Sequence, residues 1–132
     1  MYKKLFQQIK ENVVSKLAAL NKNLSYHSLA HTLDVTEQCE RIALSENITD
    51  EQDLLLLKTA ALYHDTGFLL TYLNHEEKSY TIFKEDALQL RFSEDSISII
   101  CGIIMATKIP QTPLTKLEMI ICDADLDYLG RE

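Results

Sequence analysis

The chain has 132 residues, 46% of them hydrophobic, and this length and composition suit one domain over residues 1–132 with one sizeable core. The net charge of −7 argues against a nucleic-acid polymer as a partner, and no apolar run reaches the roughly 18 residues that a membrane span needs. The polar N-terminus lacks a signal peptide, and three widely spaced cysteines in apolar helical patterns indicate reduced thiols, so we expect a cytoplasmic protein.

Apolar residues that recur every three or four positions predict an all-α bundle of about six helices. The expected bounds are 2–20, from 25–28 to 46, 50–64, 75–90, from 94 to before 109, and 116–129. Asn47 is expected to break the second helix, and Gly67 fits the left-handed position after the third. Capping residues are expected at three helix starts: Thr49 with Gln52, Ser93, and Thr115 with Glu118.

The third helix carries the most informative stretch of the chain. Residues 54–57 are all leucine, so this helix is expected at the centre of the bundle. It ends in His64-Asp65, which brings an imidazole and a carboxylate into apolar surroundings. Burying an unpaired carboxylate costs free energy, so we expect a partner charge, hydrogen bonds or a metal ion at this point.

Three more candidate groups lie on other helices: His31 on the second, and Asp123 and Asp125 on the sixth. A helical bundle can direct side chains from facing helices at one point in its core. Two neutral imidazoles and two carboxylates carry a charge of −2, which one divalent ion neutralises. Such an ion lowers the pKa of bound water, which suits the hydrolysis of a phosphate ester. Taken singly, each group also fits a helix cap or a solvated helix end.

The order His, His-Asp, Asp on successive helices resembles the HD superfamily of metal-dependent phosphohydrolases. Residues 26–35 are similar to the histidine motif of its cyclic-nucleotide phosphodiesterase branch, residues 60–65 to the Ala-Ala-x-x-His-Asp segment, and residues 122–126 to the late aspartate motif. The resemblance covers residues 26–130. It implies an HD-type helical domain with a divalent metal ion, and the ligand types leave Mn, Fe, Co, Ni, Mg and Zn open.

The resemblance also implies roles for individual residues. The metal ligands would be His31, His64, Asp65 and a late aspartate, for which the Ala-Asp-Leu run favours Asp125 and Asp123 is the alternative. His27 corresponds to the general acid that protonates the leaving oxygen. It precedes His31 by one helical turn and therefore shares its face of the helix.

His75 is similar to a histidine that in some branches binds a second metal or the phosphate, and Glu76 follows it as a further candidate for substrate binding. Branches with two metals carry a histidine pair where this chain has Thr107 and Lys108. The phosphodiesterase branch has another histidine where this chain has Phe68. We therefore expect one metal ion, with Lys108 and Thr107 contacting the phosphate, because a lysine is a point charge suited to phosphate.

These observations predict metal-assisted hydrolysis of a phosphomonoester or phosphodiester in a nucleotide-like small molecule. One alternative is a non-catalytic module that binds a metal or nucleotide and signals to a partner. Another is a structural helical domain in which His64-Asp65 is only a polar cap. The oligomeric state is left open. The chain ends two residues after Gly130, which favours a truncated copy of a longer protein.

Overall fold

The computed structural model describes residues 2–18, 22–69, 75–108 and 111–130, and within these ranges it does not describe the side chains of 22–28, 68–69 and 127–130. The described residues form six α-helices, one 3-10 helix and no strand, which confirms the predicted all-α bundle. The α-helices are α1 (Tyr2–Leu17), α2 (Lys22–Ser45), α3 (Glu51–Tyr63), α4 (His75–Leu90), α5 (Glu94–Ala106) and α6 (Lys116–Gly130). The 3-10 helix, Thr66–Leu69, follows α3.

Helix α3 lies at the centre of the bundle, as its apolar sequence predicts. It packs against α1, α2, α4, α5 and α6. From Leu55 to Tyr63 every residue except Lys58 is buried. A helix that is apolar on all sides leaves no face for solvent, so it is stable only where other helices surround it. Within the described ranges, no helix is both long enough and apolar enough to cross a bilayer.

The outer helices bury one face each. Ile9, Val13 and Leu17 line the buried side of α1 at the four-residue spacing of a helix face. Three cysteines on α2, α5 and α6, Cys39, Cys101 and Cys122, are buried free thiols. Burial raises the pKa of Cys101 and of Cys122 to about 11, so these thiols stay protonated at neutral pH.

The end of α2 follows its sequence signal. Asn47 adopts a left-handed backbone with φ 66°. Its N–H donates to Leu44 O, and the N–H of Ile48 donates to Ala43 O, which is the pair of bonds of a Schellman motif. The predicted start of α2 at 25–28 is wrong, because the helix already begins at Lys22. Helix α1 ends at Leu17, three residues before the predicted end.

Two of the three predicted N-terminal caps are confirmed. Ser93 Oγ accepts from the N–H of Ser96 at 3.1 Å, and Thr115 Oγ1 accepts from the N–H of Glu118 at 3.2 Å. The third prediction is wrong by one residue, since Asp50 rather than Thr49 caps α3. The Oδ1 of Asp50 accepts the N–H of residue 53 at 3.0 Å. Thr and Asp are both good caps, so adjacent candidates are not separated by residue type alone.

Gly67 does not occupy the predicted left-handed position, because no described glycine has a positive φ. It lies within the 3-10 helix, where a Cβ would overlap the carbonyl of His75 and lie 2.9 Å from the backbone nitrogen of Ser79. The Ser79 hydroxyl donates to His64 O and accepts from the Gly67 N–H, each at 2.8 Å. The glycine therefore permits the first turn of α4 to contact the end of α3, where the candidate site lies.

Candidate metal centre

Side chains from α2 and from the end of α3 lie close together in the folded chain. One ligand atom each from His31, His64 and Asp65 lie within 4.8 Å of one another. The Oδ2 of Asp65 is 3.3 Å from the Nε2 of His31 and 3.3 Å from the Nε2 of His64. His64 and Asp65 are buried, and His31 is half-buried. The structure thus brings His31 of α2 next to the adjacent pair His64-Asp65, which follows much later in the chain.

Asp125, on α6, adds a fourth side chain. Its Oδ1 lies 3.1 Å from the Nε2 of His31 and 3.6 Å from the Nε2 of His64. Asp123 is exposed and lies outside this group. Residues two apart on a helix differ in direction by roughly 200°, so only one of the two aspartates can face the histidines. Of the two aspartates that the sequence left open, Asp125 faces the histidines and Asp123 does not, and the assignment of Asp125 as a metal ligand stays a prediction.

The environment of His64 shows that these residues fit a divalent metal ion. Its Nδ1 donates to Ala61 O at 2.6 Å, which in the neutral ring leaves the lone pair on Nε2. This buried Nε2 has no hydrogen-bond partner among the described residues. Its neighbours are instead the carboxylates of Asp65 and Asp125. In the neutral ring this lone pair faces two carboxylates, and their charge is offset either by a proton on Nε2 or by a divalent ion that takes the place of that proton. A backbone carbonyl on the other ring nitrogen is the usual second contact of a metal-binding histidine.

The charges of the cluster are strongly coupled. Burial disfavours the imidazolium of His64, but the carboxylates of Asp65 and Asp125 outweigh it and raise the pKa of His64 to about 9. Burial would raise the pKa of Asp65, but the facing histidines outweigh it and hold that pKa below its ordinary value. The pKa of Asp125 is lowered in the same way. Both carboxylates are therefore ionised at neutral pH, as metal ligands must be.

Asp65 also faces a third histidine. Its second oxygen, Oδ1, is 3.2 Å from the Nε2 of His75, the first residue of α4. The same Nε2 lies 3.2 Å from Oε2 of Glu76, which is buried. The carboxylate of Asp65 thus separates the His31–His64 side of the site from a His75–Glu76 side. Two of the residues that the sequence proposed for substrate binding, His75 and Glu76, thus lie on the far side of Asp65 from the two histidines.

The remaining predicted residues lie in different situations. Lys108, just after α5, is exposed, and its Nζ pairs with Oε1 of Glu77 at 3.0 Å. Thr107 is buried, and both its hydroxyl and its backbone N–H donate to Ile104 O. This leaves Thr107 no donor for a phosphate, so the geometry does not support its predicted role. His27 lies on α2, and its side chain is outside the described residues.

Sequence reasoning missed two residues that contact the site. Ser79 joins the backbones of His64 and Gly67, as described above. Its position four residues after His75 places it on the same face of α4, and this spacing was a usable signal. Gln111 donates from Nε2 to the Oδ2 of Asp125 at 3.3 Å. A glutamine in a loop carries no comparable signal in the sequence.

The six helices and the group of two histidines and two carboxylates define a helical domain with a candidate metal site. Residues 28–127 match the family model described as HD domain, which is well over half of the chain. The chain belongs to the HD domain family, as its motif order predicts. This family consists generally of metal-dependent phosphohydrolases whose HD domains bind divalent metals, which indicates a hydrolase-type function. No curated protein and no solved structure gives a significant match to the chain.

Proposed function

We propose that the protein is a metal-dependent phosphohydrolase that acts on a phosphomonoester or phosphodiester of a nucleotide-like small molecule. The observation that carries this proposal is the buried Nε2 of His64, which has no hydrogen-bond partner in the described part of the chain and faces the carboxylates of Asp65 and Asp125. An arrangement of this kind is stabilised by a divalent ion. Membership of the HD domain family supports hydrolysis as the use of that ion.

The residues that would hold the ion are His31, His64, Asp65 and Asp125. When bound, a divalent metal supplies Lewis acidity and a low pKa for water, which is the chemistry that hydrolysis of a phosphate ester needs. The two carboxylates offset the charge of the ion, and the Nδ1–H of His64 holds its ring in place through Ala61 O. The Nε2 nitrogens of both histidines remain directed at the same point.

Three further residues would act on the phosphate. Lys108 can stabilise charge that develops on the phosphoryl oxygens, and it would exchange its partner Glu77 for the substrate. His75 lies on the far side of Asp65 and would contact the phosphate there. His27 precedes His31 by one turn of α2, which suits a general acid that protonates the leaving oxygen.

The proposed substrate is a small molecule because of the charge of the protein. A net charge of −7 repels a nucleic-acid polymer over its whole length, whereas a single phosphate group needs only local cations. The cations proposed here are local ones: Lys108 and the bound metal.

The test compares two aspartates of α6. The protein and the variants Asp125→Asn and Asp123→Asn are purified without chelator, and metal content per chain is measured by elemental mass spectrometry. Hydrolysis is then measured on a panel of nucleoside monophosphates, cyclic nucleotides and simple phosphodiesters. We expect Asp125→Asn to lose both the metal and the activity. Asp123→Asn should retain both, because its side chain is exposed and outside the cluster.

Two results would contradict the proposal in different ways. Wild-type protein that carries a metal but hydrolyses no ester of the panel would favour the non-catalytic binding module. Wild-type protein that takes up no metal, even after reloading with Mn²⁺, Zn²⁺, Co²⁺ or Mg²⁺, would rule out the metal centre itself.

A further inference from the structure

Asp125 is the most exposed carboxylate of the candidate metal centre. The exposed fraction of its side chain is 22%, against 11% for Asp65. The terminal torsion of an aspartate has broad preferences, so a partly exposed carboxylate does not keep one orientation unless a neighbour holds it. One oxygen, Oδ1, faces the two histidines, and the other, Oδ2, faces Gln111.

We infer that Gln111 is a positioning residue, whose side-chain amide holds the Oδ2 of Asp125 so that Oδ1 stays directed at the metal. The Nε2 of Gln111 donates to Oδ2 at 3.3 Å. Only the amide nitrogen can donate to a carboxylate, so this contact also sets the orientation of the amide group. Partners that orient a metal-binding carboxylate in this way commonly change metal affinity when they are removed.

The position of Gln111 gives the contact a second consequence. It lies between α5 and α6, three residues after Lys108, in the connection that leads from the proposed phosphate-binding lysine to the helix of Asp125. The hydrogen bond therefore fixes residue 111 to the proposed metal ligand Asp125. Loss of the amide would loosen the orientation of that ligand.

A neutral amide suits this position better than a carboxylate. Glutamate has the same length as glutamine but would place a negative charge beside the ionised Asp125. Two carboxylates at this distance repel each other, and the repulsion turns Asp125 away from the observed orientation. The variants Gln111→Ala and Gln111→Glu therefore separate the loss of a donor from the introduction of repulsion.

The inference rests on the metal centre of the proposed function, and its test reads metal affinity rather than turnover. Metal-free wild-type protein and the two Gln111 variants are titrated with Mn²⁺ and with Zn²⁺ by isothermal calorimetry. We expect Gln111→Ala to weaken affinity by about 10- to 100-fold, as other partners of metal ligands do. Gln111→Glu should weaken it further. Thr112→Ala, an exposed neighbour in the same connection, serves as the control and should bind like wild type.

A second measurement separates positioning from general destabilisation. The melting temperature of the metal-free proteins should be the same for wild type and Gln111→Ala, because Gln111 is only half-buried. Equal metal affinity for wild type and Gln111→Ala would overturn the inference. So would an equal loss in Thr112→Ala, or a loss of affinity that only follows a fall in melting temperature.

The outcomes also distinguish this inference from the proposed function. If wild type binds metal, affinity depends on Gln111, and no phosphate ester is hydrolysed, the inference stands and the proposed function fails. If affinity is independent of Gln111 but esters are hydrolysed, the proposed function stands and the inference fails. If wild type binds neither Mn²⁺ nor Zn²⁺, the titration is repeated with Co²⁺ and Mg²⁺, and binding of none of the four ions overturns both.

Discussion

Replacing Gly67 with alanine is expected to separate the start of α4 from the end of α3. A Cβ at this position would overlap the carbonyl oxygen of His75, and it would lie 2.6 Å from the carbonyl carbon of that residue and 2.9 Å from the nitrogen of Ser79. All three are backbone atoms, so no side-chain rotation can relieve the overlap. Either the 3-10 helix or the first turn of α4 must move.

The cost can be worked from the contacts that such a movement breaks. Overpacking in a closely packed region costs about 1–3 kcal/mol. The movement also removes the two hydrogen bonds of Ser79, to the N–H of Gly67 and the carbonyl of His64, at about 1 kcal/mol each. We therefore expect Gly67→Ala to lower the free energy of unfolding by roughly 3–5 kcal/mol, which is on the order of 10 °C in melting temperature for a domain of this size.

The assay is thermal unfolding followed by circular dichroism, with chelator present so that bound metal does not contribute. Gly102→Ala is a matched control within α5. Its Cβ would approach only the flexible carboxylate of Glu118, at 3.0 Å. Alanine inside a helix is favoured over glycine by up to about 1 kcal/mol, so this variant should melt at or above the wild-type temperature.

A Gly67→Ala protein that melts with wild type would refute the close-approach argument. A decrease in the free energy of unfolding of only about 0.5 kcal/mol, as for an ordinary surface substitution, would also refute this argument. A large loss in Gly102→Ala would instead show that glycine substitutions in this bundle are costly for another reason.

Three further predictions concern the same region. Ser79→Ala should lower the free energy of unfolding by about 2 kcal/mol, because the residue is fully buried and bridges two backbone groups. Chemical denaturation measures this change, and an unchanged denaturation midpoint would contradict the prediction. Divalent metal at about 100 times its Kd should stabilise wild type by about 2.7 kcal/mol but leave Asp65→Ala unaffected, as thermal melts with and without chelator would show. Lys108→Ala should raise the KM for a phosphate ester, whereas Glu77→Gln, which removes the competing carboxylate, should lower the KM or leave it unchanged. Steady-state kinetics measures both values. A Lys108→Ala enzyme with an unaltered KM would exclude the lysine from phosphate binding.

Local patterns in the sequence account for much of the fold. The helix periodicity depends only on which residues are apolar, and it predicts six helices and the central place of α3. Asn47, Ser93 and Thr115 act through neighbours within five residues, so they can be read without a tertiary structure. The Thr49 prediction failed at the same level, because an equally good cap stands beside it.

The sequence also indicates which residue types meet in the site. His31 and His64-Asp65 occur in an order that is typical of the HD domain family, and the structure brings them within reach of one ion. Motif order carries this information because the helices that bear the motifs pack in a conserved arrangement. Motif order identifies the residues of the site, but it does not give the directions in which their side chains point.

Only the tertiary structure determines the directions in which these side chains point. Asp123 and Asp125 have the same chemistry and lie on the same helix, and the rotation of α6 against α2 and α3 determines which one faces the histidines. Gly67 was predicted to be a left-handed residue, but the close approach of the following helix, α4, is what requires a glycine. The contact of Gln111 with Asp125 likewise depends on where a loop returns to the bundle. Each of these features arises from packing between separate elements, which no local pattern encodes.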